Sequence, residues 1–500
     1  MKIIPFRGDY VQGRFLLRRI TGSVRRKNLD PGDLDRPLGE FWFAKANVAP
    51  AVEAAARAFP KWRDLGQRRR GSYLTTFYRA IFRRRRELAH LITRQMGKPL
   101  WEAEQEVARF LDRIQLTRTQ APQLLSDYTV QMEGGLRGEC RYKPRGPLAV
   151  LGPFNFPAHL PGGQILPALL LGNTVVFKPS ELTPLVGQFI AECWQEAKLP
   201  AGVFNLVQGD GAVGKELMLH PKIRGVLFTG SRATGLAIQG FLAQHPEKLV
   251  ALEMGGKNAA IVLEDAPFSL AIRECVAGGF SMAGQRCNAT SRILLHRKME
   301  GPFLQRFLKG VDSIRVGYGL DEDIFMGPLV SEAAMNRYLS QLRKAPQKGL
   351  ELLRSPRPLW LSRRGFYVSP SVSLIRSFKK GPLPSYVSEE LFGPNVAILL
   401  IDSLEEAIAA NNATPYGLVA SIFTANRKKF EKAFRECDNG LVNWNVSTIR
   451  SSAKLPFGGV KQSGNDRPAG SFAPHFCSVP VASIEAKKSF SPKSLPGISL

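Results

Sequence analysis

One cysteine in this 500-residue chain lies in surroundings suited to covalent chemistry. Cys287 falls in Gly279-Phe-Ser-Met-Ala-Gly-Gln-Arg-Cys-Asn-Ala-Thr-Ser291, a polar turn beside Gly284, Gln285 and Arg286. A nearby cation or helix terminus lowers a thiol pKa and populates the thiolate, the form that attacks electrophiles. The expectation at Cys287 is therefore a depressed pKa. Cys140, Cys193, Cys275, Cys437 and Cys477 lie far apart with no C-x-x-C pair and read as small buried hydrophobes.

Other motifs carry less. Gly209-Asp-Gly-Ala-Val-Gly-Lys215 has the glycines and lysine of a phosphate loop. Glu216 stands where a magnesium-binding hydroxyl is needed, however, and a carboxylate there repels phosphate. A structural turn is the better reading. The six histidines include no pair at metal-ligand spacing, so no metal site is expected. No G-x-G-x-x-G follows an early strand, but Phe228-Thr-Gly-Ser-Arg-Ala-Thr-Gly235 does follow a short apolar run. A strand, a small-residue turn and a helix start there would aim backbone N–H groups at a diphosphate.

The elements behind these residues fall into two textures. From Val48 to Phe110, apolar residues recur at three- and four-residue spacing, which predicts helices with one buried face. Beyond Arg141 come short apolar runs, Pro147–Leu151, Thr174–Phe177 and Gly225–Phe228, each followed by turn residues and a helical stretch. Such alternation implies a parallel sheet covered by helices. A second block of the same kind runs from Asn258–Leu263 through Ile293–Leu295 and Val396–Ile401 to Gly440–Trp444. The segments 131–142 and 477–485 read as extended and lie outside both blocks, able to pair with each other or with another subunit. The last residues, 488–500, read as a flexible tail.

Composition narrows the function classes. The balance of 44% hydrophobic and 22% charged residues is that of a folded protein, and the length allows two to four domains. A net charge of +27 attracts nucleic acid, anionic membrane or acidic substrates. The basic runs at Arg68–Arg70 and Arg83–Arg86 lack interleaved aromatics, so they read as solvated surface and no nucleic-acid partner is expected. Neither a signal peptide nor a membrane span is legible, and the unpaired cysteines point to a reducing, cytoplasmic setting.

Seven spaced motifs resemble, in order, those of the NAD(P)-dependent aldehyde dehydrogenases, and the likeness covers nearly the whole chain. They are Gly152-Pro-Phe-Asn-Phe-Pro157, Phe177-Lys-Pro-Ser-Glu-Leu-Thr-Pro184, Phe228-Thr-Gly-Ser231, Leu252-Glu-Met-Gly-Gly-Lys-Asn258, Gly284-Gln-Arg-Cys287, Glu389-Glu-Leu-Phe-Gly-Pro394 and Pro456-Phe-Gly-Gly-Val460. The resemblance implies an α/β fold: a Rossmann-like cofactor domain (residues 1–124 and 145–254), an α/β catalytic domain (255–456), and small β bridging or oligomerisation strands (125–144 and 470–487). It also implies a homo-oligomer, dimer or tetramer.

By the same resemblance Cys287 is the nucleophile that forms a thiohemiacetal, and Asn155 with the Cys287 N–H stabilises its oxyanion. Glu253 is the base that directs water onto the later thioester. Its presence argues for hydrolysis to a free acid and against transfer to coenzyme A. For the cofactor, the family pattern places Lys178 and Glu181 at the adenosine ribose. Gly230 and Ser231 fall beside the diphosphate, where the turn continues through Arg232, Ala233, Thr234 and Gly235. Glu390 and Phe392 fall at the nicotinamide ribose. A carboxylate at Glu181 accepts from a ribose 2′-OH and repels a 2′-phosphate, so NAD is expected over NADP.

Several stretches resemble the branch of the family that oxidises N-succinyl-L-glutamate 5-semialdehyde in arginine breakdown: Phe156-Pro-Ala-His-Leu-Pro161, Val442-Asn-Trp-Asn445 and Ser463-Gly-Asn-Asp-Arg-Pro-Ala-Gly470. A doubly carboxylated aldehyde suits a basic entrance, and Arg450 and Lys454, preceding Pro456, are the candidate contacts.

Overall fold

The computed structural model describes residues 5–16, 22–133, 136–343, 350–377, 383–486 and 496–497. The tail expected at 488–500 thus falls outside the described residues except for 496–497.

Two seven-stranded sheets organise the chain. The first runs Leu249–Glu253, Gly225–Thr229, Pro147–Leu151, Thr174–Lys178 and Phe204–Leu206, all parallel, and is extended by Asp9–Val11 and Arg14–Leu16 in antiparallel pairing. The strands Pro147–Leu151, Thr174–Lys178 and Gly225–Thr229 are buried throughout. That is what near-continuous apolar runs require when helices cover both faces. Chain order reverses between Pro147–Leu151 and Gly225–Thr229. In open α/β sheets a crevice opens beyond the carboxyl ends of the strands at such a point. Here those ends lead into Gly152–Asn155 and Gly230–Ser231.

The second sheet runs Ser371–Ile375, Asn395–Ile401, Arg292–His296, Ala259–Val262, Val419–Phe423 and Leu441–Trp444 in parallel, with Glu351–Arg354 antiparallel at one edge. Its core packs Ile261, Leu294 and Leu399 against Phe303 and Phe307 of the helix Glu300–Asp312. Only residues 254–258 separate the last strand of the first sheet from the first strand of the second.

The amino-terminal helical region resolves into four helices, Val48–Asp64, Gln67–Arg83, Arg85–Met96 and Leu100–Leu124. Gly97 ends the third in the left-handed conformation, at φ 90°. A Cβ there would stand 2.7 Å from the Pro328 ring, so both conformation and space call for glycine. The two segments read as extended pair with each other: Ser478–Ala486 runs antiparallel to Leu136–Pro144 over nine residue pairs, and Tyr128–Gln131 adds a third strand. Among the described residues no helix is long and apolar enough to cross a membrane.

Candidate active site

Cys287 sits where two cavities meet. One, of about 1060 Å³, lies over the carboxyl ends of the first sheet; the other, of about 480 Å³, is lined by the helix Leu100–Leu124 and by residues 451–454. Both are lined by Cys287 and Leu160. The thiol is half-buried, whereas the other five cysteines are buried, as small hydrophobes should be.

The backbone carrying Cys287 is held in an unusual path. After the helix Phe268–Phe280, Met282 and Ala283 both adopt φ 52° and Gly284 φ 66°. Consecutive non-glycine residues in the left-handed region are strained and persist only where the surroundings impose them. Glu102 does so here, accepting the Met282 N–H at 3.0 Å. The Cys287 N–H has no protein acceptor among the described residues.

Asn155 lies in the loop after Pro147–Leu151 and is buried. Its Nδ2 donates to the Gln285 carbonyl at 3.0 Å, and its Oδ1 accepts the Phe156 N–H at 3.1 Å. The carboxamide is thereby fixed against the Cys287 loop with one Nδ2 proton left to give. Glu253 ends the strand Leu249–Glu253 and is 1% exposed, and neither carboxylate oxygen has a hydrogen-bond partner among the described residues. Burial pushes its pKa well above the usual carboxylate range, partly opposed by the Arg467 charge.

One expectation is corrected. The Cys287 pKa is raised: burial leads, the Glu253 and Glu390 carboxylates add to it, and Arg286 and the Asn288 N–H only partly counter them. The sequence shows the neighbouring cation but not the carboxylates that the fold brings near.

The larger cavity gathers Lys178, Glu181, Gly230, Ser231, Arg232, Ala233, Thr234, Glu390 and Phe392 with Asn155 and Glu253. Lys178 Nζ donates to the carbonyls of Pro179 and Gly209, both at 2.8 Å, and lies 3.9 Å from Glu181 Oε2. Ser231 caps the helix Arg232–Leu242 by accepting the Thr234 N–H, and that helix start opens on the cavity. Arg232 is tied to Glu389 at 3.2 Å. Glu390 accepts the Gly256 N–H at 3.0 Å, and burial lifts its pKa to about 7. Phe392 meets Phe154 edge-on at 5.7 Å. Gly235 is different: it does not line the cavity but lies buried within the helix Arg232–Leu242, where a Cβ would stand 2.3 Å from Met254 Sδ. In the phosphate-loop lookalike, Asp210 caps the helix Gly211–Leu219, and Gly211, Gly214 and Lys215 form part of the cavity wall.

The smaller cavity is basic. Arg109, Arg113, Arg286 and Lys454 line it, against Asp112 as the one acidic lining residue among those described. Arg450 does not line it. Its Nε lies 3.8 Å from Glu274 Oε2, although its charge still acts on Arg109 and Arg286. His159 is half-buried in the same wall, and desolvation with the charges of Arg113, Arg109 and Lys98 holds it neutral, well below its usual pKa. Sequence reasoning missed Arg109, Arg113 and Arg286 as cavity residues, and Glu102 and Glu106 as supports. For Glu102, Glu106, Arg109 and Arg113 the available signal was their recurrence along one face of the helix Leu100–Leu124.

Among the described residues no three His, Cys, Asp or Glu side chains stand together as a metal site. The pattern of the aldehyde dehydrogenase family matches residues 33–480. An N-succinylglutamate 5-semialdehyde dehydrogenase of Yersinia pseudotuberculosis is 36% identical over 498 residues, covering 98% of this chain and 95% of the relative. One of the same name from Serratia proteamaculans is 38% identical over 478 residues, covering 94% and 95%. Among solved structures, betaine aldehyde dehydrogenase of Staphylococcus aureus in complex with NAD+ superposes with a TM-score of 0.92 at 28% identity, covering 99% of this chain and 97% of that one. PnpE from Pseudomonas sp. WBC-3 superposes with 0.91 at 33% identity, covering 98% and 99%.

Proposed function

Since the chain belongs to the aldehyde dehydrogenase family, we propose that it oxidises N-succinyl-L-glutamate 5-semialdehyde with NAD and water, giving N-succinyl-L-glutamate and NADH. One observation carries the chemistry: Cys287, Asn155 and a carboxylate without partners, Glu253, converge where the two cavities join.

Cys287 gives up its thiol proton to water in the cavity as its sulfur adds to the aldehyde carbon, and the charge that develops on oxygen is received by the free Nδ2 proton of Asn155 and the unengaged Cys287 N–H. A bound nicotinamide dinucleotide supplies the two-electron acceptor for this oxidation. The acyl group then remains on sulfur as a thioester, and Glu253 in its ionised form takes a proton from the water that attacks it. Lys454 and Arg450 add positive potential on the aldehyde side.

The larger cavity suits a dinucleotide. It combines the capped helix start at Ser231, the Lys178 ammonium with one N–H beyond its two carbonyl partners, and the Glu181 carboxylate. Glu181 favours an unphosphorylated ribose, hence NAD. The sheet around Leu136–Pro144 bridges copies in a homo-oligomer, dimer or tetramer; exposed Tyr128, Val130 and Ile484 give it an apolar face to cover. The six unpaired cysteines suit a cytoplasmic setting.

The direct test is NADH formation by purified protein with N-succinylglutamate semialdehyde, beside Cys287→Ala. Wild type forms NADH and, on acid quench, carries an acyl adduct on the peptide containing Cys287; Cys287→Ala does neither. Product without any adduct on that peptide overturns the covalent route.

A further inference from the structure

Arg286 is a buried cation whose guanidinium has no hydrogen-bond or ion-pair partner among the described residues. It is 7% exposed and lines the smaller cavity next to the nucleophile, with its guanidinium carbon 5.2 Å from the centre of the Phe156 ring. Its Nε is enclosed with no acceptor, and among the described residues it makes no hydrogen bond and no ion pair. The carboxylate acting on it most, Glu102, is engaged with the Met282 N–H.

The same chain shows what a structural buried arginine looks like. Arg292 gives its donors to the carbonyls of Lys257, Ala410 and Asn411 at 3.0, 2.7 and 3.2 Å. An enclosed guanidinium carries five donors and is costly to leave unsatisfied, so a position that satisfies none of them is built for an acceptor from outside the protein. Arg109, on the helix Leu100–Leu124, lines the same cavity and likewise has no protein acceptor among the described residues. The Arg109 and Arg450 charges push the Arg286 pKa down, as the Arg450 charge does that of Arg109, and an anion entering between Arg286 and Arg109 would relieve that repulsion.

We propose that Arg286 and Arg109 form a carboxylate clamp beside Cys287, which makes the enzyme selective for aldehydes bearing a carboxylate at the end remote from the carbonyl. The proposal rests on Cys287 as the attacking atom and replaces exposed loop charge with one buried and one half-buried guanidinium group as the source of selectivity. An arginine pair matches a planar carboxylate through paired N–H donors.

Succinate semialdehyde and butanal share a four-carbon chain and differ in the terminal carboxylate, so their ratio of kcat/KM isolates the clamp. In Arg286→Met and in Arg109→Met that ratio should fall on the order of 10- to 100-fold, with partial recovery in Arg286→Lys. Both rates falling together, so that the ratio moves less than about twofold, would overturn the clamp, because thiol activation or loop support acts on every aldehyde alike. A readout without turnover runs beside it: N-succinylglutamate slows alkylation of Cys287 by iodoacetamide in the wild type, and this protection weakens in both variants. Unchanged protection in both also overturns the proposal. Should Arg286→Met fail to fold, Arg109→Met and its protection assay decide alone. A wild type that rejects N-succinylglutamate semialdehyde, yet shows the ratio collapse, keeps the clamp and loses that particular substrate.

Discussion

Lys98 Nζ donates at 2.7 Å to Glu106 Oε2 and at 2.7 Å to the backbone carbonyl of Asn155, and both charged side chains are fully enclosed. Glu106 in turn accepts the N–H groups of Ala158 and His159 at 3.0 and 3.1 Å, at the start of the helix His159–Leu170. With Glu102 on the Met282 N–H, one helix outside both sheets steadies the loops of Asn155 and of Cys287.

Lys98→Met would leave Glu106 charged, buried and short of its cation, at a cost of about 3–5 kcal/mol. Urea unfolding should show that loss, and Lys98→Met/Glu106→Gln should recover part of it, because the neutral amide still accepts the helix N–H groups. Turnover should fall as well, since the Asn155 backbone loses its anchor. Unchanged kcat in Lys98→Met would mean that the pair serves the fold and not the oxyanion donor.

Gly284 predicts an effect at a single methyl group. Its φ is 66°, and a Cβ there would lie 2.2 Å from the Gly393 carbonyl oxygen. Gly284→Ala must shift the strained turn three residues before Cys287, and a misplacement of about 1 Å costs on the order of 100-fold in rate. The expected result is that drop in kcat/KM with cofactor affinity little changed, read by steady-state kinetics and by titration of cofactor binding. Full activity in Gly284→Ala would show that the turn tolerates movement.

What could be read from sequence follows the range of the interactions involved. The parallel strands Pro147–Leu151, Thr174–Lys178 and Gly225–Thr229 were legible because burial on both faces writes itself into a continuous apolar run. Cys287 stood out through its immediate neighbours. The Asn155 and Glu253 roles came from family resemblance, since a turn asparagine or a lone glutamate carries no local mark. Glu102, Glu106 and Arg109 escaped notice because charges on a helix normally face water. Glu102 and Glu106 are buried and Arg109 half-buried, and the partners of the two carboxylates, Met282 and the Asn155 loop, lie far away in the chain. The Cys287 pKa misled for the same reason: Arg286 is adjacent in sequence, while Glu253 and Glu390 are neighbours only in space.

Glu181 makes the cofactor preference testable. Its carboxylate faces the larger cavity 3.9 Å from the Lys178 ammonium, so removing the charge leaves Lys178 free to favour a 2′-phosphate. In Glu181→Gln the ratio of kcat/KM for NADP to that for NAD should rise on the order of tenfold, about 1.4 kcal/mol. An unchanged ratio would remove Glu181 from that discrimination.

Glu253 ties activity and stability to pH in opposite directions. In its proposed role as base Glu253 works only when ionised, and burial raises its pKa, so thioester hydrolysis should gain speed as pH rises through that elevated value. Arg467 is the one charge pulling the value down, so Arg467→Ala should move the acidic limb of the hydrolysis profile to higher pH, and Arg467→Lys should restore it. Stability runs the other way. A carboxyl whose folded pKa exceeds its unfolded one contributes its stabilisation below the unfolded value and loses it as pH climbs through the folded value. Glu253→Gln, neutral at every pH, should therefore unfold at a higher temperature than wild type in alkaline buffer while hydrolysing thioester about 100- to 10000-fold more slowly. A hydrolysis profile with its acidic limb in the same place in wild type and Arg467→Ala would show that this limb belongs to a group other than Glu253.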